Sequence, residues 1–218
     1  MIVTADTFPS AVSLMRTRPA TAAGAEELYR DTDQFITQGS EMLQQDPARW
    51  TPVLENMSTV VKDNFCSQLH QVDRVPALSE TCREAALQAL QMGLLAGAID
   101  GTLLFVLHKD EALQAAPIVA PSAIETEALP DREELEKRLK EILAGAAAGL
   151  RDMGVWAVRQ ASFMAKATGT EAVEQAGSIP DSGLPKAAYQ AFLLTCFATG
   201  YAAAGLDSAL IVGAGEQP

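Results

Sequence analysis

With 218 residues, 48% of them hydrophobic, the chain is long enough for one large domain or two small ones and apolar enough to bury a substantial core. A net charge of −12 at pH 7 argues against nucleic acid as a partner, because such partners are held by clustered lysine and arginine that displace counterions. Three cysteines, Cys66, Cys82 and Cys196, cannot all pair and form no C-x-x-C motif, which suits a reducing, cytoplasmic setting.

The opening Met1-Ile2-Val3-Thr4-Ala5-Asp6 lacks the positive and continuously apolar parts of a secretory signal. Residues 1–24, with Pro9 and Pro19 and little periodicity, are expected to form an N-terminal arm or short helix. The remainder, 25–218, is expected to be a single helical-bundle domain. A first helix is predicted from Ala25 to Gln45 through Leu28, Phe35, Ile36, Met42 and Leu43, stopping before Asp46-Pro47. Thr51-Pro52 then reads as an N-cap followed by proline in the first turn, and Val53, Leu54, Met57, Val60, Val61, Phe65 and Leu69 mark one helical face.

A third helix is predicted from Ser79, amphipathic up to Gln91 and apolar nearly all round from Met92 to Leu107. Residues 115–130, with three prolines, read as a linker. Asp131 and Glu134 resemble a capping box for a fourth helix. Leu135, Leu139, Ile142, Ala146, Gly149, Met153, Trp156 and Phe163 follow a four-three repeat broken by Gln160, predicting one helix of about 35 residues that ends at Gly169. A last helix is expected from Leu184 to Leu206, while Leu103 to Leu107 and Ala209 to Gly213 could each be helix or strand. Ala187 to Leu206 is uncharged and long enough for a bilayer, but its alanine content favours a buried soluble helix over a membrane span.

Gly93, Gly97 and Gly101 lie four residues apart in the third helix, and Gly145 and Gly149 repeat that spacing in the fourth. Interior glycine costs a helix roughly 0.5–1 kcal/mol against alanine, so the rows imply close backbone approach. The expected fold class is therefore all-α, a bundle of about five to six helices, two of them long, with Gly/Ala-mediated crossings.

Few residues could carry chemistry. Asp63, Cys66 and His70 share one helical face, where thiolate and imidazole four residues apart could converge on a metal, but two good ligands fall short of a structural zinc site. Asp100 points with Cys82, Ala86 and Gly93, away from the polar face, and should be buried, so it needs a donor or cation or else stays protonated. Arg151, Arg159 and His108 are its candidate partners, and Asp100, Gly97 and His108 are the candidate ligand-binding residues. The residues three before His70 and His108 are Ser67 and Phe105, not the glutamate of di-iron bundles. Glu26-Glu27 and Glu133-Glu134 are followed by Arg30 and Lys137 where a paired-glutamate metal motif needs a third acid. No phosphate loop, dinucleotide loop or nucleophile elbow is present, so no cofactor is implied. The sequence thus reads as a non-enzymatic helical interaction module that self-associates or takes a protein partner. Alternatives are a domain holding an apolar small molecule between helices, and an enzyme using Asp100 or the Asp63/Cys66/His70 face.

Overall fold

The protein is described from a computed structural model, covering residues 8–72, 79–114, 132–179 and 184–216. The linker at 115–130 and the Asp131 cap expected from sequence lie outside the described residues. Among the described residues there are eight α-helices and no strand. They are α1 (Pro9–Leu14), α2 (Ala22–Gln45), α3 (Pro47–Gln71), α4 (Ser79–Leu107), α5 (Lys109–Gln114), α6 (Arg132–Asp152), α7 (Gly154–Ala176) and α8 (Lys186–Ser208), the last continuing into a π-helical turn at Ala209–Gly213.

Eight helices exceed the expected five to six for local reasons. Phe8 stacks on Phe35 with ring centroids 4.8 Å apart, so the short α1 is held against α2. The second expected helix begins at Pro47 rather than Thr51: the Asp46 side chain accepts from the Arg49 N–H at 3.2 Å, and Pro47 takes the first helical position. The expected 35-residue helix is two helices, because Gly154 adopts φ +79°, a left-handed conformation open to glycine at little cost. The swivel at Gly154 also splits the four-three repeat: Leu135, Leu139, Ala146 and Gly149 are buried, whereas Met153, Trp156 and Phe163 are exposed.

The core is organised around α4 and α8, which run parallel. A Cβ on Gly93 would overlap the carbonyl of Phe197, one on Gly97 the carbonyl of Tyr201, and one on Gly200 the carbonyl of Leu90. Gly145, by contrast, has nothing within 4 Å of where a Cβ would sit. Leu103 to Leu107 complete α4 as helix, and the Ala214 N–H donates to the Ala209 carbonyl at 2.9 Å in the turn that closes α8. By length and composition α4 and the Lys186–Gly213 stretch could each cross a membrane; both are mostly buried by other helices, as the core helices of soluble proteins also are.

The helix order repeats. In each half, α2–α3–α4 and α6–α7–α8, a helix breaks at a single residue into a second, and an apolar third follows. When Asp207 is laid on Asp100, Gly200 falls on Gly93, Ala203 on Ala96 and Leu210 on Leu103. The contacts are reciprocal in that register: Gly93 meets Phe197 while Gly200 meets Leu90, and Phe197 is the counterpart of Leu90. Such reciprocity is what an approximate two-fold axis between parallel helices requires.

Two glycine substitutions separate close contact from open surface. Gly97→Leu should lower stability by about 1–3 kcal/mol or more in spite of better helix propensity, because its side chain has only the Tyr201 backbone to enter. Gly145→Ala should instead raise it by about 0.5–1 kcal/mol. Denaturant unfolding of both variants tests the pair; a Gly97→Leu protein as stable as the parent would refute the contact.

Candidate functional site

Where the two halves repeat, they repeat a polar cluster. On α3, Ser58 and Lys62 lie one helical turn apart on the side facing α4. Ser58 Oγ donates to Asp100 Oδ1 at 2.5 Å and Lys62 Nζ sits 2.6 Å from Asp100 Oδ2. On α7, Ser162 and Lys166 have the same spacing and engage α8 in the same way. Ser162 Oγ donates to Asp207 Oδ1 at 2.5 Å, and Lys166 Nζ is 2.8 Å from Asp207 Oδ2. The duplicated unit is a serine and a lysine on one helix that together hold both oxygens of an aspartate on the next. Leaving an aspartate without such partners in an apolar interior would cost several kcal/mol.

The surroundings differ. At Asp100 a third donor arrives, the Tyr201 hydroxyl, 2.6 Å from Oδ2. Burial, followed by the Asp100 charge, holds that phenol well above its ordinary range, so it remains a donor. At Asp207 the counterpart of Tyr201 is Leu94, which has no hydroxyl, and a second carboxylate enters instead. Asp33 of α2 lies 3.6 Å from Lys166 Nζ through Oδ1, so one ammonium faces two carboxylates. Neither Asp33 Oδ1 nor Asp207 Oδ2 receives a well-aligned hydrogen bond.

Burial, then the adjacent Asp207 charge, raises the Asp33 carboxyl to about 7. Burial works against the charge on Lys166, but Asp207 and Asp33 outweigh it and hold the ammonium above its ordinary range. Tyr29 closes the cluster: its hydroxyl donates to the Lys166 carbonyl at 2.8 Å, and Lys166 Nζ stands 5.9 Å from its ring centroid. Burial is the main cause that pushes the Tyr29 phenol up to about 12.

The structure does not gather the residues singled out from sequence. Asp100 is mostly buried and paired with Lys62, not with Arg151, Arg159 or His108. Arg151 bonds Asp152, Arg159 bonds Glu216, and the exposed His108 sits 3.6 Å from Glu111. Gly97 faces the Tyr201 backbone, with no room for a ligand between. Asp63 pairs with Arg132 of α6 at 3.0 Å, His70 is exposed and Cys66 is half-buried against the core rather than on a solvated face. Among the described residues no group of three His, Cys, Asp or Glu is placed to hold a metal ion. A groove of about 430 Å³ is lined by Leu104, His108, Glu111, Ala112, Lys140, Leu143 and Ala144. Another, of about 190 Å³, lies between α3, α4 and α8 against Phe65, Met92, Tyr189 and Leu193. Neither is lined by Asp100 or Asp207.

Lys62, Ser58, Asp33, Lys166, Ser162 and Asp207 were not apparent as a set. The signal that finds all of them but Asp33 is the shared G-x-x-A-x-x-x-D-x-x-L pattern, Gly93 to Leu103 and Gly200 to Leu210, joined to S-x-x-x-K at Ser58 and Ser162. Comparison with known protein families, curated proteins and solved structures finds no match to this chain.

Two substitutions probe the clusters. Because Asp33 titrates higher folded than unfolded, the folded chain binds its proton more tightly, and stability is lost as pH rises from about 4 to about 7. The loss is at most on the order of 4 kcal/mol. Asp33→Asn should therefore leave stability near pH 3 little changed and raise the melting temperature at pH 8; an equal effect at both values would refute the shared-lysine geometry. Asp100→Asn removes the counter-charge of Lys62 and should destabilise at neutral pH by about 1.5–3 kcal/mol, read by denaturant unfolding.

Proposed function

We propose that the chain is a non-enzymatic helical assembly module that associates with itself, built from two fused three-helix halves closed on Gly/Ala-mediated contacts between α4 and α8. The observation that carries this reading is the outer face of α7. Trp156, Phe163 and Met164 are 74%, 66% and 61% exposed and share that face by helical spacing, and Met153, 68% exposed, precedes the helix as its N-cap residue. A contiguous apolar patch of several hundred Å² on a soluble helix marks an interaction surface. Between Asp152 and Glu171 the helix carries no carboxylate, in a chain whose net charge is −12. The Ser–Lys–Asp clusters support the non-enzymatic part, because the chain's own donors occupy both oxygens of Asp100, and Asp207 is held by Ser162 at Oδ1 and ion-paired with Lys166 at Oδ2. Cys66, Cys82 and Cys196 form no disulfide, which suits the reducing setting expected from sequence.

Size-exclusion chromatography with light scattering tests the reading. A dimer or larger species that dissociates on dilution is expected, and a monomer at high micromolar concentration would overturn it.

A second reading, a domain that holds an apolar small molecule, draws on the groove of about 190 Å³. Its lining is mostly apolar, with Phe65, Met92 and Leu193 beside Gln68 and Gln88, and the Tyr189 hydroxyl there faces the Cys82 thiol. Native mass spectrometry of the purified chain should then show a bound mass that Leu193→Trp removes.

A further inference from the structure

The self-association read from α7 has a geometry, and the inference below rests on that reading. We propose that a second copy of this chain docks antiparallel on the outer face of α7, with the two-fold axis passing at Gln160.

Three observations point to a second copy. The first is the distribution of side chains about Gln160. Trp156 lies four residues before it and Phe163 three after, Ala157 three before and Met164 four after. An antiparallel partner centred on Gln160 therefore sets Trp156 within about 1.5 Å along the axis of the partner's Phe163, and Met164 the same distance from the partner's Ala157. Aromatic meets aromatic on one flank and a long side chain meets a small one on the other, as packing in a helix pair requires. Gln160 breaks the apolar repeat, and on the axis it faces its own copy. An amide carries both donor and acceptor and so satisfies itself across a two-fold.

The second observation is area. At their exposures Trp156, Phe163, Met153 and Met164 present on the order of 500–600 Å² of mostly apolar surface. With Ala157, Ala161 and Ala167 added, the face approaches the roughly 800 Å² per partner of a standard stable interface.

The third is the counterpart helix. When Ser162 is laid on Ser58, Trp156 falls on Pro52, Gln160 on Asn56, Phe163 on Thr59 and Ala167 on Asp63, and Met164 falls on the exposed Val60. The same position in the fold is thus occupied on α3 by a more polar face, so the architecture itself does not demand aromatic residues there. Arg159, beside Gln160, is bonded to Glu216 at 2.7 Å, and in the antiparallel pair these ion pairs line the rim rather than the centre.

Disulfide trapping in the full-length protein tests the register. Gln160→Cys lies on the axis and should oxidise to a covalent dimer in most chains. Trp156→Cys alone should not, whereas Trp156→Cys mixed with Phe163→Cys should cross-link. The parent protein, in which Cys66 is half-buried and Cys82 and Cys196 are buried, is the control. Phe163→Glu, at an exposed position, should give a monomer of unchanged helicity by circular dichroism. If the parent is a dimer but Phe163→Glu stays dimeric, or Gln160→Cys does not cross-link, the antiparallel face is overturned while self-association stands. If the parent is a monomer at high micromolar concentration, both fall, whatever else binds Trp156.

Discussion

The backbone contact between α4 and α8 is the constraint on which the other helices depend. Ordinary helix pairs keep axes 8–10 Å apart because side chains hold them off. Gly93, Gly97 and Gly200 remove that spacer where the carbonyls of Phe197, Tyr201 and Leu90 pass. Two helices that are apolar around most of their circumference and already in contact cannot turn a face to water. They need a sheath, and α2, α3, α6 and α7 have the amphipathic or small-residue faces that provide it.

A seam of small residues at four-residue spacing has a weakness. Sliding one helix by four residues brings glycine opposite nearly the same neighbours, so the seam alone fixes register poorly. Across the seam the Tyr201 hydroxyl on Asp100 opposes that slip, and the Ser–Lys–Asp clusters set α4 against α3 and α8 against α7. A slip of four residues along α4 would carry Asp100 about 6 Å from Lys62 and Ser58 and leave buried charge unpaired on both sides. Buried ion pairs contribute little net stability, but a single polar position can specify register, and here each apolar helix has one.

The sequence makes the helical class and the apolar half of α4 legible because both follow from composition and period. Its limits have physical causes. The break at Gly154 is hidden in a repeat that continues across it, since a four-three pattern records spacing but not the direction in which the chain resumes. Pro47 hides in the same manner: Asp46-Pro47 stops one helix and begins the next, and only the cap geometry distinguishes the two roles. Asp100 could be recognised as a buried carboxylate, but its partner could not, because Lys62 sits on a different helix among residues that alternate between core and surface. Asp33 was invisible as a partner of Lys166, for contact between α2 and α7 has no local trace.

The two halves carry matching features, and the differences between them show where the fold's needs end. Asp100 has a serine, a lysine and a tyrosine; Asp207 has a serine and a lysine that also answers to Asp33. The outer face of α3 is largely polar, whereas that of α7 is aromatic and exposed. Both departures fall on α7, with Ser162 and Lys166 on its inner side and Phe163 and Met164 on its outer side. Packing against α8 alone requires neither a shared lysine nor exposed aromatics, since the first half manages without them. The second half therefore has the same architecture with two added burdens, a surplus buried carboxylate on one side of a single helix and an uncovered apolar face on the other.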